Sequence, residues 1–177
     1  MDVFPKLVTE RLILRQFQDD DLENVYQGLS HPNVVKYYAV SYNTLEATRN
    51  QLAWFKALEK EKNGIWWAVC DKETKEFLGA IGLNNMTQIY QKAEIGFWLL
   101  PNYWASGIIV EAAKSVCDYA FSQLKLNRIE AFVESANENS KKVLSKLSFN
   151  HEGTMNNCEI KNNQFVSLAI YAKLNSH

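Results

Sequence analysis

Glycine and proline are scarce in this chain of 177 residues, seven and three in number. That leaves no Gly/Pro-rich linker and excludes fibrous and low-complexity classes. Cys70, Cys117 and Cys158 are odd in number, far apart and without C-x-x-C spacing, so neither a disulfide framework nor a zinc site is expected. The three histidines, His31, His151 and His177, have no ligand spacing, and no metal is expected. An excess of one charge is missing too. With 19 Lys+Arg against 20 Asp+Glu the formal net charge is −1, which argues against nucleic-acid binding or a broad footprint on acidic membranes. Nor is there a long apolar run. Ile95 to Val110 is the longest stretch without a charged side chain, and Pro101, Asn102, Ser106 and two glycines interrupt it well short of the ~20 apolar residues of a membrane span. Met1 to Lys6 has no basic region leading into an apolar one, so no secretory signal is read there and a cytoplasmic location is the expectation.

What is present is material for a core. The chain is 47% hydrophobic, 12% aromatic and 22% charged, which excludes intrinsic disorder and suits one continuous domain over residues 1–177. Leu12, Ile13 and Leu14 between two arginines read as a first strand. Asp20 with Glu23 has the spacing of a capping box for a short helix that stops before His31-Pro32. Leu45, Thr48, Leu52, Phe55 and Leu58 recur at helical spacing up to Asn63-Gly64. Ile65 to Cys70, Phe77 to Leu83 and Ala93 to Leu100 are β-rich runs of an antiparallel meander. Trp66 and Trp67, adjacent in a strand, must point to opposite faces.

After Pro101 the period changes. Ile109, Ala113, Val116, Ala120, Phe121 and Leu124 line one helical face. Arg128 to Val133 then reads as a strand, Asn137 to Leu147 as a helix capped by Asn137, and His151 to Asn157 with Phe165 to Ala172 as a hairpin turning across Lys161-Asn162-Asn163. The sum is a mixed α/β domain with a mostly antiparallel sheet of about seven strands, flanking helices and one internal strand-helix-strand unit.

That unit, Ala93 to Val133, is where chemistry can sit. A strand, a short glycine-containing loop and a helix N-terminus together favour an anion, because first-turn N–H groups are free and the helix dipole points its positive end there. The loop is Tyr103-Trp104-Ala105-Ser106-Gly107-Ile108-Ile109. It is neither a Walker loop nor a dinucleotide fingerprint, and one Gly before a helix is also ordinary turn chemistry.

Blocks along the whole chain resemble one family. Thr9-Glu10-Arg11-Leu12-Ile13-Leu14-Arg15, Gly79-Ala80-Ile81-Gly82-Leu83, Ala93-Glu94-Ile95-Gly96-Phe97-Trp98-Leu99 and Pro101-Asn102-Tyr103-Trp104 come first. Gly107, Glu111-Ala112, Asn127-Arg128-Ile129-Glu130-Ala131, Asn137, Ser140, Lys146-Leu147, Phe149 and Glu152-Gly153 follow. In this order they are similar to the GNAT superfamily of acyl-CoA-dependent N-acetyltransferases, in its RimJ/RimL-like branch. The resemblance implies a sheet splayed between its fourth and fifth strands. It also implies acetyl-CoA as co-substrate, no metal, a monomer or homodimer, and as acceptor a primary amine, either a protein N-terminus or a small molecule.

Residue by residue, it implies that the backbone of Phe97, Trp98 and Leu99 pairs with the pantetheine arm. Amides of Trp104, Ala105, Ser106, Gly107, Ile108 and Ile109 would hold the pyrophosphate, and Asn137 would help hold the pantetheine. Glu94 is then a base acting through water, or a rim ion-pair partner. Ser140 is the proton donor to the leaving thiolate, or a solvated first-turn serine. Tyr37, Tyr38 and Tyr42, in the segment between the first two helices, become acceptor contacts. Leu144 stands where many relatives carry an acid tyrosine. Ala105, Ser106 and Ile109 depart from the family's Gly-basic-Gly-x-Gly/Ala loop, and Ser148 replaces a glycine. These departures raise an alternative reading, an acyl-CoA-binding module without turnover. The side chain of Ile109 either crowds the phosphate or faces the core.

Overall fold

Adjacent tryptophans set the layering. The computed structural model describes residues 3–176; Met1, Asp2 and His177, and with them the ends of the expected domain, lie outside the described residues. Trp67 enters a core with helices on one face of the sheet, and Trp66 enters a second core on the other face, as period-two alternation requires. The elements are β1 (Leu7–Val8), β2 (Leu12–Arg15), α1 (Leu22–Leu29), α2 (Pro32–Val35), α3 (Leu45–Glu61), β3 (Ile65–Asp71), β4 (Phe77–Thr87) and β5 (Lys92–Leu99). Then follow α4 (Ile108–Ser122), β6 (Arg128–Glu134), α5 (Glu138–Lys146), β7 (Asn150–Lys161) and β8 (Gln164–Leu174). One sheet takes the order β1-β2-β3-β4-β5-β6-β8-β7. Only β5–β6 is parallel. Helices α4 and α5 cover the Trp67 face, and α1 and α3 cover the Trp66 face.

The sheet has eight strands, one more than the sequence pattern predicts. Leu7 and Val8 pair with Leu14 and Ile13, a strand too short to carry a period. Pro32–Val35 also forms a helical turn not anticipated; Pro32 supplies a first-turn φ, and the His31 ring accepts from Asn33 N–H at 3.2 Å. The Asp20/Glu23 capping box does not form. Asp21, 3% exposed, accepts both Arg15 Nη atoms at 2.8 Å and the Gln18 N–H at 2.8 Å. A buried carboxylate requires such a set of donors, and this one outranks solvent-side capping. The hairpin strands run longer than expected, and the turn contracts to Asn162-Asn163 with φ of 51° and 61°. Both signs suit the primed two-residue turn that matches strand twist. Register shifts at His151/Gly153 and Met155/Glu159 explain why the alternation in β7 is hard to read.

Helix α5 ends as expected at Ser148, which sits at φ 63°. Phe149 N–H reaches Leu144 C=O at 3.0 Å and Ser148 N–H reaches Ser145 C=O at 3.1 Å, and the buried side chains of Leu144 and Phe149 meet in the core. This is a Schellman termination whose left-handed residue is a serine. Ser148→Gly is therefore expected to raise stability by about 1 kcal/mol, read as a higher melting temperature. No change in melting, or a fall, would show that the left-handed serine carries no penalty.

Candidate active site

Strands β5 and β6 pair over three residues only, Lys92, Ala93 and Glu94 against Arg128, Ile129 and Glu130. Beyond Glu94 they part, while β5 continues against β4 without interruption from Asn84↔Glu94 to Gly79↔Leu99. The splay thus falls where the resemblance puts it, between the strands flanking α4. Its closed end is pinned by charge. Glu130 accepts from Arg128 at 2.8 Å and pairs with Lys92 at 3.2 Å, and Arg128 reaches on to Glu152 at 2.6 Å.

The backbone exposed by this parting follows from ladder alternation. Leu100 N–H donates to Leu78 C=O at 2.9 Å, so Leu100, Trp98, Gly96 and Glu94 spend their main-chain groups on β4. Ile95, Phe97 and Leu99 turn theirs toward β6. Beside Phe97 and Leu99 there is no β6 partner. Leu99 C=O accepts instead from the Trp104 indole at 2.9 Å. Of the three residues expected to meet an extended ligand, Phe97 and Leu99 present backbone to the cleft and Trp98 does not; its side chain is buried against Gly28 and Phe77.

The loop after β5 is built as an anion cradle. Trp104 N–H is spent on Pro101 C=O, and the next amide bonded within the protein is that of Glu111, to Gly107 C=O. Among the described residues the N–H groups of residues 105–110 have no partner. Of the amides expected to meet a pyrophosphate, that of Trp104 is engaged within the protein, and those of Ala105, Ser106, Gly107, Ile108 and Ile109 have no partner among the described residues. Gly107 caps α4 at φ 78°, and Ala105 holds a left-handed φ of 56°. Ile109 is 9% exposed and belongs to the core of Trp67. Its side chain thus takes the second of the two expected placements, facing the core. Arg11 ties the loop to the start of β2, with Nε on Glu111 at 2.7 Å and Nη1 on Ser106 C=O at 2.9 Å. Glu111 also accepts from Thr9 Oγ1 at 2.6 Å and from Arg11 N–H at 2.8 Å. Sequence reasoning missed this clamp, whose partners lie a hundred residues apart and carry no local signal.

Across the cleft, Asn137 caps α5. Its Oδ1 accepts Ser140 N–H at 3.1 Å and its Nδ2 donates to Ser140 Oγ at 2.9 Å, leaving the Ser140 O–H free to donate. Glu94, half-buried, accepts from Asn85 Nδ2 at 2.8 Å and has no cationic partner among the described residues, so the rim ion pair does not form. Tyr38 lies within Coulombic reach of Glu94 and Tyr42. Burial first, then those two groups, push its phenol above the ordinary value. Tyr42 donates to Gln51 Oε1 at 2.9 Å, which makes it an anchor for its segment, and the Tyr37 ring lies under Lys36 Nζ at 5.1 Å. The hairpin closes this side: Lys161 Nζ bridges Glu134 at 2.7 Å and Lys36 C=O at 2.6 Å.

Free strand amides beside a row of helix-start amides suit a molecule carrying both peptide-like links and a diphosphate, which is the chemistry of acyl-CoA. Residues 11–150 match the family described as acetyltransferase (GNAT) domain. The chain is 38% identical over 154 residues to the uncharacterized N-acetyltransferase YoaA of Bacillus subtilis (strain 168), covering 86% of this chain and 87% of that one. It superimposes on a GNAT-family acetyltransferase from Bacillus anthracis with a TM-score of 0.86, at 27% identity over 96% of this chain and 98% of that one. RimL, a ribosomal L7/L12 alpha-N-protein acetyltransferase solved with coenzyme A, shares the fold at a TM-score of 0.86, 19% identity and coverage of 95% and 96%.

Two outcomes test this geometry. Ile109→Ala is expected to cost about 2–4 kcal/mol of stability with CoA affinity unchanged or weaker; calorimetric binding at least threefold tighter would restore the crowded arrangement. Burial opposes ionisation of Glu111, but the bonds from Thr9 and from the backbone and side chain of Arg11 outweigh it and hold this carboxyl below its ordinary value of 4.5. Its stabilising contribution is full above that value and is lost as pH falls through the lower folded one. The stability advantage of wild type over Glu111→Gln is expected to narrow between about pH 5 and pH 3 in thermal melts.

Proposed function

The chain belongs to the GNAT family of acetyl-CoA-dependent N-acetyltransferases, and on that premise we propose that its acceptor is a singly charged primary amine, the α-amino group of a protein N-terminus ahead of small polyamines. One observation carries the choice of acceptor. Of the carboxylates on β5 and β6, Glu130 is paired with Arg128 and Lys92, and Glu134 with Lys161, so Glu94 alone lacks a cation among the described residues. One uncompensated carboxylate balances one ammonium group, whereas a polycation calls for several.

Residues 105–110 and the Gly107 cap would hold the diphosphate, and Phe97 and Leu99 the pantetheine, with the remaining Nδ2 proton of Asn137 as a further donor. Acetyl-CoA supplies a thioester whose carbonyl carbon gains a C–N bond as its C–S bond breaks. Glu94 takes the amine proton through a water. The outward N–H groups on β5 stabilise negative charge developing on the carbonyl oxygen, because they are fixed before reaction and need no reorganisation. The Ser140 O–H donates to the departing sulfur, the role left open by Leu144, which is fully buried. Tyr38 lines the amine's approach.

The intact cradle supports turnover over a binding module: Ile109 faces the core, Ala105 already holds its left-handed turn, and Ser148 affects the end of α5. Glu94→Gln is expected to lower kcat by about 100-fold with CoA affinity unchanged, in a thiol-release assay run over N-terminal peptides, amino acids, polyamines and aminoglycosides. A Glu94→Gln enzyme with wild-type kcat would remove the base. Faster acetylation of polyamines than of peptides would overturn the choice of acceptor.

A further inference from the structure

The cradle at the start of α4 contains no cation of its own: residues 103–110 are all uncharged. Six free amides and a helix dipole face a ligand group that, on the reading proposed above, carries two negative charges on its diphosphate. Amides and dipole together provide a partial charge of roughly half a unit. One positive group is in position to add to it. Arg11 lies at the β1–β2 turn, and its guanidinium spends Nε on Glu111 and Nη1 on Ser106 C=O. Nη2 makes no hydrogen bond among the described residues. It lies 3.5 Å from the point where a Cβ on Gly107 would stand, and the Arg11 side chain is 47% exposed. The free end of the fork is therefore beside the cap residue of α4 and open to solvent.

We infer that Arg11, a hundred residues before Glu111 in the sequence, is the cationic ligand for the diphosphate of acyl-CoA. Glu111 and Thr9 then act as positioning residues. They fix the guanidinium plane so that one N–H edge braces the loop and the other faces the anion, a division of donors that a planar fork supports and an ammonium does not. The inference rests on the proposed acyl-CoA site and adds to it a residue from outside the loop. A half-exposed contact of this kind is screened by solvent, so its effect is moderate.

The test is calorimetric titration of folded wild type, Arg11→Gln, Arg11→Lys and Glu111→Gln with CoA and with pantetheine, which lacks the diphosphate, at two ionic strengths. Melting curves confirm that each variant is folded. Arg11→Gln is expected to bind CoA about 10-fold more weakly, about 1.4 kcal/mol, with pantetheine binding unchanged and with a flatter dependence on salt. Arg11→Lys recovers part of the loss. Gln at 111 still offers Arg11 an amide oxygen, so Glu111→Gln loses less than Arg11→Gln. Two results overturn the inference while leaving the site intact: Arg11→Gln binding CoA within twofold of wild type, or Glu111→Gln losing as much as Arg11→Gln with the salt dependence unaltered, which marks Arg11 as a brace only. Failure of wild type itself to bind millimolar CoA overturns the proposed site, and this inference with it.

Discussion

A strand inside a sheet has two edges to satisfy, and β5 is given a partner for only part of one. From Ile95 onward its β4 edge is fully paired, while the edge toward β6 is left with outward N–H and C=O groups. Buried main-chain groups without partners are costly, so the gap is tolerable only where it opens to solvent or receives another extended chain. The Glu130–Arg128–Glu152 and Lys92 pins hold the strands together at one end. At the other, Trp104 takes up Leu99 C=O. The loop amides and the helix cap are arranged around the length of β5 that remains open.

That opening is reached from both faces of the sheet. On the Trp67 face α4 and α5 bring their N-termini toward it, each ended by a residue suited to the task, a left-handed glycine for one and a side-chain-capping asparagine for the other. On the Trp66 face Glu94 projects beside Tyr38. Trp66 lies over Gly82 and Gly96, where a Cβ would stand 2.2 Å and 3.0 Å from its ring. The one residue of β5 without a side chain, Gly96, is thereby held against an aromatic platform, which limits how far the open edge can flex.

Much of this is legible in the residues. Helical spacing located α3 and α4, β-rich runs bounded by turn residues located β3 to β6, and Asn137 announced its own helix start, because each depends on neighbours within a few positions. The resemblance placed the splay. What stayed hidden was long-range or combinatorial. The Arg11–Glu111 clamp and the Lys161 bridge join segments with no shared local pattern. Assigning Phe97 and Leu99, rather than Trp98, to the cleft requires knowing which main-chain groups β4 claims. The Asp20/Glu23 spacing misled because a run of acidic residues near a helix start looks alike whether one of them caps the helix or, like Asp21, receives an arginine.

The clamp also bears on how the molecule comes into being. Arg11 leaves the ribosome about a hundred residues before Glu111, and a contact of that sequence separation forms late and slowly. Until α4 and the loop before it have been made, β3 alone holds the first strands, and Arg11 lacks both its carboxylate partner and the loop carbonyl it braces. In a chain of this construction the loop and the side chain that braces it come together only when the first and middle thirds have met.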